Sequence, residues 1–476
     1  MAEFRAESDS LGEMRVPAEA LWAAQTQRAV ENFPISGLRL PPPFLRALAL
    51  IKKAAAQTNE DLGLLDAARS EAIQLAAQEI VEGGHADQFP IDVFQTGSAT
   101  STNMNMNEVV ARLANRRLLD SVSDGPATTV HPNDHVNLGQ SSNDAIPAAM
   151  QIAACVALRE SLDPALEKLQ DSLSRKAEEF DGLLKSGRTH LMDATPIRLG
   201  QEFGGYAAQV RHSRVRLDAA IADMLELPLG GTAVGTGINT HEEFAARTIE
   251  RIAAWTGIEF REASNHFERQ ATRDTIVFAH GAMNALAVSL SKIANDLRWL
   301  ASGPRAGLAE INLPATQPGS SIMPGKVNPV IPESVTMAAA QIMGNHTTIT
   351  IGGLGSFFEL NVMMPVMAYA LLQSIDIAAS ASANLATKCV DGITANEMRL
   401  RELLEGNLML ATALAPRIGY DAAAKLAKDA FARGTTVREL AREREVLPAA
   451  ELEEVLDVRA MTEVGMPGGG PMPGAG

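Results

Sequence analysis

Large aliphatic side chains recur at alternating steps of three and four residues through the middle of the chain. Two series show this spacing most clearly: Leu158, Leu162, Leu166, Leu169 and Leu173, and Met283, Leu286, Leu290, Ile293, Leu297 and Leu300. The spacing places each series on one face of an α-helix and predicts long helices packed nearly parallel or antiparallel in a bundle. A cofactor groove could carry a similar stripe, but core packing is the commoner cause of this pattern.

The residues available to fill a core also favour helices. Hydrophobic residues make up 46% of the 476 positions, yet aromatic residues make up only 4%. Alanine, leucine and methionine must therefore do the packing, which suits closely approaching helices better than a β-sandwich. We predict an all-α fold with a mainly helical domain at 1–140, the long bundle at 141–397, a small helical domain at 398–464 and a disordered Gly/Pro tail at 465–476.

Charge and cysteine content exclude several kinds of protein. A formal net charge of −16 disfavours nucleic acid and anionic membranes as partners. Cys155 and Cys389 are too few and too distant for a disulfide framework or a thiolate zinc site. The acidic N-terminus lacks the apolar core of a secretory signal, and the apolar run from Val362 to Leu372 is short and interrupted by Pro365. We therefore predict a soluble, cytoplasmic protein.

One loop concentrates polar groups that suit anion binding. Glycine and proline recur throughout residues 318–329, so this stretch cannot form a regular helix or strand. It carries two hydroxyls, an amine and a carboxamide, at Ser320, Ser321, Lys326 and Asn328. With the N–H groups of the loop, these side chains can hold a carboxylate while negative charge develops beside it.

Two other interpretations of this loop fit less well. A solvated surface turn rarely carries three large apolar residues, as this one does at Ile322, Met323 and Val327. A phosphate-binding P-loop has four residues between its first glycine and its Gly-Lys pair, whereas five residues separate Gly319 from Gly325 here. Val327 also stands where that motif requires serine or threonine.

Two further segments offer neutral hydrogen-bond donors. Ser98-Ala99-Thr100 supplies hydroxyls and loop amides that can bind a carboxylate. Ser141-Ser142-Asn143 comes just before a long predicted helix, where side chains and free N–H groups can converge on an anion. The alternative for this second segment is a plain helix N-cap.

A lone histidine lies in a third segment, beside a cation and a hydroxyl. His190 follows Arg188 and Thr189, and among so many exchangeable donors it is a plausible proton-transfer residue, although a lone histidine is more often structural. Glu333, the carboxylate nearest to the 318–329 loop, could polarise His190. Its alternative is an exposed residue in the first turn of a helix.

A fourth segment, His131-Pro132-Asn133-Asp134, is followed by His135. Two histidines four residues apart suggest a metal site, but no third histidine or suitable carboxylate completes the ligand set. We predict no metal.

The 318–329 loop resembles the signature loop of the aspartase/fumarase superfamily. The Gly325-Lys326 pair and Ser141-Ser142-Asn143 are more similar to class II fumarases than to aspartases, and the resemblance extends over nearly the whole chain. It implies an all-α, three-domain protomer with a central five-helix bundle that forms a homotetramer with shared active sites. It also implies hydration of the dicarboxylate fumarate to (S)-malate in the tricarboxylic acid cycle, with no cofactor.

The resemblance further implies residue roles. Ser320 would remove the proton from carbon 3 of malate, and His190, with Glu333 behind it, would manage the water or hydroxyl. The substrate-binding residues would be Ser98, Ala99, Thr100, Ser141, Ser142, Asn143, Thr189, Ser321, Lys326, Val327 and Asn328. An accessory carboxylate site would consist of His131, Pro132, Asn133 and Asp134. Three places depart from the family: Ala99 replaces a usual glycine, His135 replaces a common aspartate, and Asn137-Leu138-Gly139 precedes the Gln-Ser-Ser-Asn segment.

Besides superfamily lyases with larger substrates, which are further off, two rivals remain open at this stage. Aspartate ammonia-lyase is the nearest, because the segments beginning at Glu310 and Asn328 also resemble aspartases. The residues near the candidate leaving group include no carboxylate, which favours water over ammonium. The second rival is a structural protein built on a retired lyase scaffold, and the intact Ser320, Lys326 and His190 argue against it.

Overall fold

The computed structural model describes residues 3–121 and 129–469. In this part of the chain the α-helices are α1 (Ala24–Asn32), α2 (Pro42–Asp61), α3 (Ala67–Val81), α4 (Thr100–Ser121), α5 (Ser142–Ala157), α6 (Asp163–Glu179), α7 (Leu199–Asp223), α8 (Phe244–Thr256), α9 (His266–Ala271), α10 (Asp274–Leu300), α11 (Val330–Gly353), α12 (Met364–Lys388), α13 (Glu397–Glu405), α14 (Ala415–Ile418), α15 (Tyr420–Arg433), α16 (Val437–Glu443) and α17 (Ala449–Val455). Short 3-10 helices span Ala86–Gln88, Val390–Gly392, Leu408–Leu414 and Ala460–Thr462, and π-helical turns span Pro132–Val136 and Leu158–Leu162.

The strands are short, and those in the described residues form only two-stranded sheets. They are β1 (Phe4–Asp9), β2 (Gly12–Pro17), β3 (Leu184–Thr189), β4 (Met192–Arg198), β5 (Glu226–Leu227), β6 (Arg261–Glu262), β7 (Ile311–Asn312), β8 (Ser356–Phe357), β9 (Leu360–Asn361) and β10 (Thr394–Ala395). β1–β2, β3–β4, β8–β9 and β7–β10 pair antiparallel, and β5–β6 pair parallel. Helices dominate, and the predicted all-α fold is confirmed.

The Leu158 series runs from a π-helical turn into α6, and the Met283 series lies on α10. The chain divides into two compact units, a first unit of 1–165, 213–288 and 338–380 and a second unit of 166–212, 289–337 and 381–476. The division falls inside α6, α7, α10, α11 and α12. Every residue of the Leu158 and Met283 series is 4% exposed or less, as core packing requires. The predicted boundaries of three domains stay a prediction.

In the first unit, a buried polar contact joins three of the long helices. His280 of α10 is fully buried, and its Nε2 lies 2.8 Å from Ser374 Oγ of α12. Its Nδ1 lies 3.3 Å from Nδ1 of His346 on α11. Burial lowers the pKa of His280 to about 4, so its ring is neutral at pH 7. The contact therefore adds hydrogen bonds to the core without burying a charge.

In the second unit, aromatic rings pack the residue that follows α6 against α7. The Phe203 ring meets Phe180 edge-on at 5.3 Å and Tyr206 at 5.6 Å between centroids. Tyr206 donates a 3.0 Å hydrogen bond to Asp296 of α10, which satisfies its buried hydroxyl. A separate apolar cluster, which includes Leu426, Leu440 and Leu452, packs the C-terminal helices.

The prediction that Pro365 interrupts the apolar run was wrong. Pro365 lies in the first turn of α12, where the helix needs no N–H donor, so the helix continues to Lys388. Three segments are in fact long and apolar enough, by length and composition, to cross a membrane: Ser142–Glu179, Asp274–Leu300 and Met364–Gly392. In each, between 50% and 72% of the most apolar window is buried inside the protein. Helix packing therefore uses much of this apolar surface.

The predicted Gly/Pro tail is only partly described. Arg417 Nη2 donates a 2.9 Å hydrogen bond to the carbonyl oxygen of Gly468. Residues 470–476 lie outside the described residues, so their predicted disorder stays a prediction.

Candidate active site

The 318–329 loop closes on itself and presents Ser320. The backbone N–H groups of Ile322 and Met323 donate to Ser320 Oγ at 3.2 and 2.9 Å. Asn328 Nδ2 donates to the carbonyl oxygen of Gly319 at 2.6 Å, and Gly319 N donates to the carbonyl oxygen of Lys326 at 2.8 Å. Two amide dipoles therefore point at the serine oxygen, where they would stabilise an alkoxide.

The cationic group of this loop is available to an anion. Lys326, Val327 and Asn328 line a cleft of about 770 Å³, together with Glu333 of α11. Lys326 is exposed and makes no salt bridge within residues 3–121 and 129–469. Ser321 is exposed as well. The second unit thus offers an unneutralised ammonium beside the candidate base.

His190 occupies the tip of the β3–β4 hairpin. Thr189 pairs with Met192, so His190 and Leu191 are the two central residues of the turn. Both adopt left-handed backbone conformations, with φ of 57° and 61°. Turns of this kind usually contain asparagine and glycine, and the strain of larger residues there is typical of functional positions. Thr189 and His190 are both exposed.

A buried ion pair anchors strand β3 of this hairpin. Glu310 is fully buried and receives two 2.9 Å hydrogen bonds from Arg188. Lys185, also buried, lies 3.3 Å from Glu310 and 3.2 Å from Glu202. The sequence analysis did not predict that Glu310 forms this ion pair. The feature that could have indicated it is the acidic Glu310 directly before the short strand β7.

In the first unit, the Ser98-Ala99-Thr100 and Ser141-Ser142-Asn143 segments meet. Thr100 Oγ1 lies 2.8 Å from both Ser98 Oγ and Ser142 Oγ, which makes a continuous row of hydroxyls. Ala99 is fully buried and its φ is 55°. This position therefore has a left-handed backbone conformation, which glycine adopts more readily than the alanine found here. The sequence placed these segments apart, and the fold brings them together.

The second of these segments also caps a helix. Ser141 Oγ accepts a 3.2 Å hydrogen bond from Asn143 N at the start of α5. Asp144 accepts hydrogen bonds from the N–H groups of Ser141, Gly230 and Thr232 at 2.8, 3.0 and 2.9 Å. Ser141 is therefore an N-cap, and Ser142 and Asn143 lie at the positive end of the helix dipole.

The His131-Pro132-Asn133-Asp134 segment begins a π-helical turn. The backbone N–H of His131 donates to His135 Nδ1 at 2.7 Å, and Asp134 N donates to His131 Nδ1 at 3.2 Å. Asn133 and Asp134 line a cleft of about 520 Å³ that also reaches Ser141. No group of three or more histidine, cysteine or acidic residues that could hold a metal occurs among the described residues.

One predicted pair is not brought together in the single chain. Among the described residues, His190 and Glu333 share no hydrogen bond or ion pair. His190 lies at an exposed hairpin tip, and Glu333 lies in the first turn of α11. The proposed relay from Glu333 to His190 therefore stays a prediction.

Comparison with known proteins identifies the family. The family model described as lyase matches residues 12–344, and the model described as fumarase C C-terminus matches residues 410–463. Class II fumarate hydratase from Nitrosomonas europaea is 52% identical over 98% of this chain and 100% of its own length. The chain belongs to the class II fumarases. The corresponding protein of Halobacterium salinarum is 54% identical over 98% of both chains.

The fold agrees with this family. The crystal structure of class II fumarase from Schistosoma mansoni matches with a TM-score of 0.93 at 38% sequence identity, covering 97% of this chain and 99% of that one. The predicted resemblance and the predicted aspartase/fumarase fold with its bundle of long helices are thus confirmed.

We predict that Glu310→Gln lowers the thermal unfolding midpoint. Removing the charge leaves Arg188 and the buried Lys185 without their shared carboxylate, and breaking a buried pair in this way costs about 3–5 kcal/mol. The matched control is Glu397→Gln, because Glu397 and its partner Arg401 are 57% and 80% exposed. An exposed pair contributes at most about 1 kcal/mol. Equal shifts of the midpoint in the two variants would show that Glu310 does not anchor the hairpin.

Proposed function

We propose that this class II fumarase catalyses the reversible, stereospecific hydration of fumarate to (S)-malate by anti addition and elimination. Family membership over the whole chain supports the reaction. The observation that carries the mechanism is the pair of backbone N–H groups directed at Ser320 Oγ. A neutral serine is a weak base, and these donors favour its ionised form.

The first step in the malate direction is removal of a proton. The Ser320 alkoxide takes the proton from carbon 3, and the electron pair of that C–H bond moves into the adjacent carboxylate. The product is an aci-carboxylate that carries one more negative charge than the carboxylate of malate. Lys326 and Asn328 bind it, and their contribution grows as this charge develops.

The second step expels the hydroxyl. The electron pair returns to form the C2–C3 double bond, the C2–O bond breaks, and a proton supplied through His190 converts the leaving hydroxyl to water. Glu333 would hold the imidazole in the orientation that this transfer needs. Thr189, Ser321 and Val327 would line the same end of the substrate. Fumarate hydration is the reverse of these steps.

The first unit would bind a substrate carboxylate through neutral groups. The hydroxyl row of Ser98, Thr100 and Ser142, with Asn143 and the capping Ser141, supplies neutral donors at the start of α5. Ala99 contributes its backbone. Neutral donors avoid the desolvation cost of burying charged groups. His131, Pro132, Asn133 and Asp134 would form a separate accessory carboxylate site.

We further propose a homotetramer whose active sites combine residues of different chains. Large apolar side chains are exposed on α10 and α11 at Phe278, Val288, Met337 and Ile351, and directly after α11 at Leu354. Exposed apolar surface of this kind marks interaction sites. A homotetramer would also account for the lack of contact between His190 and Glu333 in one chain, since a second chain could supply one partner of this pair. The net charge disfavours nucleic acid and anionic membranes as partners. We propose a soluble, cytoplasmic enzyme that uses no cofactor.

We expect fumarate in deuterated water with excess ammonium to give malate that carries one deuterium at carbon 3. Anti addition of water places that deuterium at a single stereochemical position, which proton NMR reports through the coupling constant. Aspartate as the main product would instead identify an ammonia-lyase. No product of either kind would favour a non-catalytic protein.

A second prediction concerns the base. Ser320→Ala should lower kcat by about 10²–10⁴-fold, because a positioned general base contributes rate enhancement of that size. Ser334→Ala is the matched control: its hydroxyl donates to the carbonyl oxygen of Ile331 within α11, away from the loop. Both variants should keep the wild-type helical content. Turnover of Ser320→Ala within a few-fold of Ser334→Ala would remove Ser320 from the mechanism.

A further inference from the structure

Lys52 is a buried cation that the proposed mechanism does not use. It lies on α2 and is completely inaccessible to solvent. Its ammonium donates to Asn103 Oδ1 at 2.8 Å, to Asn137 Oδ1 at 3.0 Å and to Gln140 Oε1 at 3.0 Å. Burying a lysine is costly, and here all three N–H donors are satisfied by neutral oxygens rather than by a carboxylate.

The three acceptors connect α2 and α4 to one loop. Asn137 Oδ1 also accepts from Asn103 and Asn107 of α4, at 3.1 and 3.2 Å. Gln140 Nε2 donates back to the carbonyl oxygen of Val136 at 3.1 Å. The ammonium is therefore the centre of a network that fixes residues 136–140.

This loop separates the two carboxylate sites proposed for the first unit. On one side it continues from the π-helical turn that contains Asn133 and Asp134, and on the other it leads directly into Ser141 at the cap of α5. A positive charge beneath the loop adds to the positive end of the α5 dipole. In a protein with a net charge of −16, a local cation of this kind favours an incoming dianion.

One ionisable group acts on Lys52 electrostatically in the described part of the chain. Asp144, the buried carboxyl of the capping box, favours the charged ammonium. Burial outweighs it and lowers the pKa of Lys52 to about 7, while burial raises the pKa of Asp144 to about 6. The groups that contact Lys52 from α4 and from the loop are uncharged amides.

We propose that Lys52 is a positioning residue whose protonated form holds the 136–140 loop and strengthens carboxylate binding at the start of α5. Lys52 does not touch substrate; it acts through Gln140 and the following cap. The inference rests on the proposed function only for the identity of the substrate.

The test measures binding of succinate, a dicarboxylate that cannot be hydrated, by calorimetry on the full-length protein. Lys52→Met should weaken succinate about tenfold or more, in the range of known couplings between sites. The control is Lys53→Met, on the same helix: Lys53 Nζ contacts Gln78 instead, at 2.9 Å. Lys53→Met should bind succinate as the wild type does.

The pH dependence separates a charged role from a purely structural one. Only the protonated form strengthens binding, so wild-type affinity should fall as pH rises through about 7. Lys52→Met should lack this fall. Asn103→Asp keeps the hydrogen-bond acceptor but adds a negative charge beside the ammonium, which raises the pKa of Lys52 and should move the fall to higher pH.

If Lys52→Met does not fold, Asn103→Asp alone tests whether the protonated form of Lys52 strengthens succinate binding. An unshifted pH profile in Asn103→Asp, or wild-type affinity in Lys52→Met, overturns the proposal. Succinate binding does not require turnover, so the result is independent of the hydratase assay. If the protein hydrates fumarate and Lys52→Met binds succinate as the wild type does, only this inference is rejected. If succinate binding depends on Lys52 but fumarate is not hydrated, only the proposed reaction is rejected.

Discussion

The hydrogen bonds from two backbone amides to Ser320 Oγ are the interaction on which the proposed chemistry depends. A serine hydroxyl holds its proton far too tightly to act as a base unless its surroundings favour the alkoxide. The amides of Ile322 and Met323 provide fixed dipoles, and they need no reorganisation as charge develops. The glycine- and proline-rich loop is what turns both N–H groups toward one oxygen, because a helix or strand would use them internally.

The groups proposed to bind a carboxylate in the first unit must also stabilise negative charge, and they do so without a loop like that of Ser320. The row of hydroxyls from Ser98 to Ser142 and the start of α5 supply partial positive charge without a salt bridge. Protonated Lys52 places a positive charge behind this surface, shielded from solvent. An acidic protein can thus attract a dianion through local groups, while its net charge keeps other polyanions away.

Periodicity predicted the scaffold well and the site only in part. The Leu158 and Met283 series are buried as expected, since a three-and-four repeat has one efficient packing solution. The loop composition located Ser320, but it could not show which N–H groups donate to it. Pro365 was misjudged because a proline breaks a helix in its interior but is tolerated in its first turn.

Lys52 and Lys53 are adjacent residues of the same type, and only the fold shows that Lys52 is the buried one. His190 and Glu333 make no hydrogen bond or ion pair with each other among the described residues, and no local pattern could show this.

We propose that the catalytic groups of one active site come from different chains. Mixing inactive Ser320→Ala with inactive His190→Asn, under conditions that exchange subunits, tests it directly. Exchange is confirmed separately by mass spectrometry of differently tagged chains. If the sites are shared, mixed assemblies contain some sites with both residues intact, and fumarate hydration should return as exchange proceeds. Confirmed exchange with no return of activity would contradict shared sites and would place Ser320 and His190 in the same protomer.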